Sequence, residues 1–296
     1  MFKIVNDSIR TGIVTSRFPA SVDPPPDGFR GKPVINFASC TACDKCAGAC
    51  PTGAIAIRPE GPGRHVSISY GDCIFCGECE SACPDVVTLT KDFQLAVTEK
   101  AMLTVSADYT QGDDGKYSFA GTSATTPPGT ASLDTVGWEV KEKIRELFGR
   151  SLQIREVDAG SCNGCEVEIT ALTNPIHDIE RFGIHFVASP RHADMLLVTG
   201  PVTRNLQPAL LKTYEATPNP KMVVAVGACA IGGGIFGKSY ASCGGVDTVV
   251  PVDAFIPGCP PRPEALLHGI LVALGRYKEN NTKRVKSSTP LVSAGS

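Results

Sequence analysis

The sequence has no long basic run and no apolar stretch long enough to cross a bilayer. Its most apolar segments, Met222–Ile235 and Ala265–Leu274, fall short of the roughly 20 residues that a spanning helix needs, and glycine interrupts both. A formal charge of −2, from 28 Lys and Arg against 30 Asp and Glu, offers no electrostatic footprint for nucleic acid. The opening MFKIVNDSIRTGIVTS lacks the apolar core and cleavage site of a secretory signal, and no twin-arginine pair precedes an apolar stretch, so a reducing cytoplasm is expected. Histidine is scarce and scattered. His65, His177, His185, His192 and His268 stand beside no nucleophile or carboxylate motif, so no substrate-transforming site is legible.

Cysteine is present in excess: thirteen residues, which in a reducing compartment point to metal. CTACDKCAGACPTGAIAI from Cys40 and CIFCGECESACPDVVTLT from Cys73 are two copies of one pattern, C-x2-C-x2-C-x3-C-P followed by an alternating apolar run. This is the spacing of two-cluster ferredoxins, in which the fourth cysteine of each run ligates the other cluster. Cys40, Cys43, Cys46 and Cys83 then form one set, and Cys73, Cys76, Cys79 and Cys50 the other. Four thiolates also suit zinc, which would make the domain a metal-stabilised interaction scaffold without redox work. Paired C-x2-C knuckles, the usual zinc pattern, do not explain two three-plus-one runs each closed by proline. Between the runs, AIAIR and HVSISY alternate with period two around PEGPG and predict a hairpin.

Residues 106–136 are rich in Gly, Ser, Thr, Asp and Pro and predict a flexible linker between a domain at 1–105 and another at 137–280, with a polar tail at 281–296. The linker is expected to run over the surface and set local concentration. Val140, Ile144, Leu147 and Phe148 have helical spacing within 137–148. Beyond them, strand-like LQIREV, IHFVA, DMLLVTG, KMVVAVGA and TVVPVDAFI alternate with helical QPALLKTYEA and RPEALLHGILVALG, which predicts an α/β domain with a mainly parallel sheet. Sites in such domains form at the carboxyl ends of strands. Cys162, Cys165, Cys229 and Cys259 all fall just after predicted strands, in GSCNGC, GACAIGGG and PGCPPRP, so they converge on one sheet edge; buried core cysteines are the competing reading. Cys243 is left outside these sets, as a loop thiol.

IRTGIVTSRFP, GFRGKP and CIFCGECESACP resemble the two-cluster ferredoxin subunit of formate hydrogenlyase and hydrogenase-4, over most of residues 1–105. FGRSLQIREVDAGSCNGCEVEI, GACAIGGGIF and GGVDTVVPVDAFIPGCPPRPEALL resemble the small subunit of those hydrogenases, a relative of the complex I subunit that carries the terminal cluster, over about 137–275. The chain thus resembles a fusion of two subunits of a group 4 membrane-associated [NiFe] hydrogenase.

The resemblance implies an α+β two-[4Fe–4S] ferredoxin domain followed by an α/β flavodoxin-like domain. It implies three [4Fe–4S] clusters, with Cys162, Cys165, Cys229 and Cys259 holding the one nearest the nickel–iron site of a separate large subunit. Its implied partners are that subunit, membrane-integral complex I-like subunits, and a donor such as formate dehydrogenase, carbon monoxide dehydrogenase or ferredoxin, with the chain peripheral on the cytoplasmic face of the membrane. Cys162-Asn163-Gly164-Cys165 is the hydrogenase-like arrangement, whereas the complex I relative carries adjacent cysteines; the same relay in a quinone-linked complex is the rival. Glu166 and Glu168 follow Cys165 where a helix is expected to begin. They are either acids favoured by its N-terminus or a proton path toward the large subunit.

Overall fold

The computed structural model describes residues 2–18, 21, 24–113, 115–124, 144–146 and 149–284. After helix α1 (Phe2–Thr11), strand β1 (Pro33–Ile35) pairs antiparallel with β4 (Val87–Leu89) and brackets the two cysteine runs. Each run builds one short helix, α2 (Lys45–Ala49) and α3 (Glu78–Ala82). The third cysteine of the run lies in the helix, the fourth caps its C-terminus, and Pro51 or Pro84 prevents continuation. The predicted hairpin is present as β2 (Ile55–Glu60) and β3 (Gly63–Ser69).

The linker reading is corrected for residues 106–124. Strands β5 (Thr104–Gln111) and β6 (Tyr117–Ala124) extend the hairpin into a four-stranded antiparallel sheet in the order β2-β3-β5-β6. Val105, Ala107 and Tyr109 are buried at alternate positions, while the intervening side chains are small and polar, so the segment's composition conceals its period of two. Tyr109 fixes the register against the cysteine runs by donating its hydroxyl to the Phe37 carbonyl at 2.8 Å. Residues 125–136, the rest of the expected linker, lie outside the described residues. Of the helix expected at 137–148, only residues 144–146 are described, and they are helical.

The second half is a five-stranded parallel sheet: β7 (Leu152–Asp158), β8 (Ile184–Phe186), β9 (Met195–Thr199), β10 (Met222–Val226) and β11 (Ala254–Ile256), in the order β11-β10-β9-β7-β8. Numbered within the domain this is 2-1-3-4-5, the flavodoxin-like order. Helices α4 (Gly164–Ala171), α5 (Gln207–Ala216), α6 (Gly227–Gly232) and α7 (Pro263–Arg284) connect or cover the strands. Every residue of β9 and β10 is buried, as expected of central parallel strands covered on both faces. Helix α7 runs into the segment read as a polar tail, as far as Arg284.

The halves do not hang on a tether. One continuous apolar cluster contains Ile35, Val66 and Leu103 from the first half and Leu196, Val223 and Ile231 from the second. Val97 pairs with Phe255 at the edge of β11 through reciprocal backbone hydrogen bonds of 3.1 and 2.8 Å, and Lys100 meets Asp247 at 2.9 Å. Residues 15–18 cross onto the second half as a strap: the Ser16 N–H donates to Ile176, and Arg181 donates to the carbonyls of Ser16 and Phe18. Phe18 is buried in the second half's core, a contribution of about 2 kcal/mol.

Candidate metal centres

The two ferredoxin-type runs converge in a crossed pattern. Burial pushes the Cys46 thiol up to about 12, and the neighbouring charges of Cys83, Cys40 and Cys43 add to the effect. Burial likewise raises Cys73 to about 12, against the Phe75 N–H and with Cys79, Cys50 and Cys76 adding. Cys83 therefore stands with the first run and Cys50 with the second, the crossing expected from the spacing.

Cys162, Cys165, Cys229 and Cys259 meet at the carboxyl edge of the parallel sheet. Burial raises Cys165, and Glu166, Cys229, Cys259 and Cys162 raise it further. Burial followed by Cys259 and Cys162 takes Cys229 up to about 11. In each quartet, buried thiols oppose one another's ionisation, and a cationic core that accepts thiolates removes that opposition.

The backbone fits such a core. Ala42 and Phe75, each two residues after the first cysteine of its run, take left-handed conformations with φ of 51° and 55°. A bulky Phe is unusual there. The conformation aims the Ala42 N–H at Cys40 Sγ (3.3 Å) and the Phe75 N–H at Cys73 Sγ (3.4 Å), the kind of hydrogen bond that tunes a thiolate-ligated cluster. In the third quartet a Cβ on Gly227 would lie 2.8 Å from Cys165 Sγ, and one on Gly234 would lie 2.8 Å from Cys229 Sγ. Glycine keeps both sulfurs clear.

Sulfur spacing separates an iron–sulfur core from one zinc ion. Four thiolates on zinc, at about 2.3 Å each, stand about 3.8 Å apart. Among the described residues, which include all thirteen cysteines, no three sulfurs lie within 4.8 Å of one another. That spacing is too wide for a single tetrahedral ion and suits thiolates on a larger core. The one group of ligating atoms that does lie so close is Glu60, His65 and Asp108, a surface ion-pair network with His65 Nδ1 2.6 Å from Asp108 Oδ1. Cys243 is buried beside Gln207, with its Sγ 3.4 Å from Oε1.

The second and third quartets adjoin each other. Besides burial and Cys162, the charge of Cys76 also raises the Cys259 thiol. Between them lies a cavity of about 340 Å³ lined by residues of both halves, including Phe29, Arg30, Phe75, Phe93, Cys259 and Arg262. Arg30 donates to the Cys76 carbonyl, and the Arg262 guanidinium lies 4.6 Å from the Phe93 ring centroid and 5.5 Å from that of Phe29 while pairing with Glu264 at 2.7 Å. Sequence reading missed these arginines, because only the docking of the halves brings them to the junction.

The acids after Cys165 face different ways. Glu166 turns inward, where its Oε1 accepts from the Thr199 hydroxyl. Its charge helps raise Glu156 on β7, whose carboxyl burial already pushes up. Glu168 is raised by burial and by Glu264, with Arg262 opposing.

The family model of the NADH ubiquinone oxidoreductase 20 Kd subunit matches residues 162–273, and that of the 4Fe-4S dicluster domain matches 39–87. A probable membrane-bound hydrogenase subunit, mbhJ of Pyrococcus furiosus, is 50% identical over 148 residues, covering 50% of this chain and 86% of that protein. The chain belongs to the 20 Kd subunit family. Other relatives of this 20 Kd subunit type are formate hydrogenlyase subunit 7 of Escherichia coli (49% identical, 47% of this chain and 55% of that protein) and an NADH-quinone oxidoreductase subunit of Citrifermentans bemidjiense (45% identical, 48% and 77%). All three cover about half of this chain. The dicluster model, matched separately, covers the two ferredoxin-type runs, so this 20 Kd family member carries iron–sulfur clusters.

Proposed function

We propose that the chain is the electron-transfer subunit of a membrane-associated [NiFe] hydrogenase complex and holds three [4Fe–4S] clusters. Cys40, Cys43, Cys46 and Cys83 hold the first, Cys73, Cys76, Cys79 and Cys50 the second, and Cys162, Cys165, Cys229 and Cys259 the third. The observation that carries this reading is the junction of the second and third quartets, where Cys76 lies within electrostatic reach of Cys259. When bound, the clusters supply one-electron carriers. The chain's own residues set their order and separation: the crossed Cys50 and Cys83 lock the first two sites together, and the docked halves hold the third beside the second.

Cys162 and Cys259 are exposed, and Val167, Ile235 and Phe236 are exposed apolar residues near Cys165 and Cys229 in sequence. That face suits the large subunit with the nickel–iron site. The first quartet is left for the donor, of which formate dehydrogenase, carbon monoxide dehydrogenase and ferredoxin are the candidates. Identity of 45% to the NADH-quinone oxidoreductase relative supports a second reading, the same relay in a quinone-linked complex.

Metal and flavin analysis of the complex copurified anaerobically with this chain separates the two. Nickel, with about twelve irons attributable to this chain, is expected. Flavin without nickel overturns the hydrogenase reading, and zinc without brown colour overturns both.

A further inference from the structure

Helix α1 is a surface without an occupant. None of its residues is buried. At 100° per residue, Phe2, Ile4, Val5 and Ile9 fall on one side, and Lys3, Asn6, Asp7 and Arg10 on the other. Of the thirteen exposed large hydrophobic side chains among the described residues, six lie in residues 2–14, with Phe2 and Ile13 each 93% exposed, so apolar exposure is concentrated here. Such a concentration marks an interaction site.

The helix is also fixed in place. Gly12 ends it, and the strap begins three residues later: Thr15 Oγ1 donates to the Pro175 carbonyl at 2.8 Å and the Ser16 N–H to Ile176 at 2.7 Å. Ile176 is itself 51% exposed, so the apolar strip continues from the helix through Ile13 and Val14 onto the body of the protein. Charge adds a preference. Residues 2–18 carry Lys3, Arg10 and Arg17 against the single acid Asp7, in a chain whose net charge is negative.

We infer that α1 is a monotopic anchor that lies on an anionic lipid surface, with Phe2, Ile4, Val5 and Ile9 in the headgroup–acyl boundary and the basic side chains within a Debye length of the lipid charge. This deepens the membrane association proposed above by naming lipid as a direct partner of this chain. An apolar face with basic residues behind it fits the interface plane, because water solvates the polar side while lipid buries the other. The strap transmits that orientation to the parallel-sheet half through Arg181, which donates to the carbonyls of Ser16 and Phe18 at 2.6 and 2.8 Å.

The test is flotation of the anaerobically purified full chain with vesicles of phosphatidylcholine alone or mixed with phosphatidylglycerol. The chain should float with the mixed vesicles, more weakly with phosphatidylcholine, and less as salt rises. Ile4→Glu combined with Ile9→Glu should lower binding at least about tenfold, and Lys3→Gln with Arg10→Gln should remove the preference for the mixed vesicles. Because α1 buries no residue, these variants should keep wild-type iron content, which certifies the fold.

Absence of flotation, or flotation that both variants leave unchanged, overturns the inference. So does a result in which the full chain ignores vesicles but the apolar variant loses copurifying membrane subunits, since the face then belongs to a protein. Nickel and iron analysis of the same samples reports the relay separately. Vesicle binding without nickel would sink the hydrogenase reading and leave the anchor standing.

Discussion

Replacing Gly227 by alanine tests whether the third quartet is a cradle shaped around its sulfurs. Gly227 has φ +84° at the start of α6, and a Cβ there would lie 2.8 Å from Cys165 Sγ and 3.4 Å from the Gly258 carbonyl oxygen. The left-handed backbone costs an L residue about 1–2 kcal/mol. The Cβ–sulfur contact falls well inside the roughly 3.5–4.0 Å at which nonbonded atoms rest, and such overpacking adds about 1–3 kcal/mol. The movable partner is the Cys165 side chain, so the strain falls on a proposed ligand.

Gly237 supplies the control, since its φ is +56° and nothing lies within 4 Å of its Cβ position. Gly237→Ala should cost only the backbone term and keep all its iron. Gly227→Ala should lose about four of about twelve irons while the ferredoxin-type sites stay filled. The assay is iron per chain together with electron paramagnetic resonance of the reduced protein. Equal iron and equal thermal stability in the two variants would refute the reasoning.

Burial takes His268 down to about 4, so the folded state holds it neutral while the unfolded chain protonates it below about 6.5. Stability is then complete above that value and falls as pH drops toward 4, by at most about 3 kcal/mol, and His268→Gln should flatten this part of a denaturant-midpoint profile; an unchanged slope would remove His268 as the cause. A protease site placed within 125–136 and cut should leave the halves coeluting on gel filtration, because Val97–Phe255 pairing, Lys100–Asp247 and the strap join them; separation would show that the tether is needed. Glu168→Gln should slow H₂ turnover of the assembled complex at least about tenfold with iron unchanged if that carboxyl carries protons, and unchanged turnover would leave it a structural acid.

The cysteine sets were readable because their geometry is local or topological. A C-x2-C-x2-C-x3-C-P run folds into one loop and helix, and the carboxyl edge of a parallel sheet gathers the loops that leave its strands. The β5–β6 hairpin was not readable, since Ser106, Asp108, Ser118 and Gly121 give a strand the composition of a linker. Ala42 and Phe75 could have been found from the repeat itself, because they occupy the same place in both copies. No residue type there announces a left-handed backbone. Glu166 beside Thr199, and Arg30 and Arg262 beside the Cys76–Cys259 junction, depend on contacts distant in sequence.

Joining two redox halves in one chain can act in two ways, and the structure distinguishes them. A flexible tether raises the effective concentration of one half near the other but leaves their spacing to chance. An interface fixes spacing, and electron transfer between buried sites depends on spacing. Here the fixed contacts surround the junction: Val97 extends the edge beyond Phe255, three residues before Gly258, and Gly71 approaches Ile231 until a Cβ on Gly71 would lie 2.7 Å from Ile231 Cγ2. Gly232 meets Asp72, next to Cys73, in the same way. Residues adjacent to proposed ligands on both sides therefore make the interface, so a change that loosens the docking also changes the distance between the second and third sites. The tether speeds assembly, and the interface sets the relay.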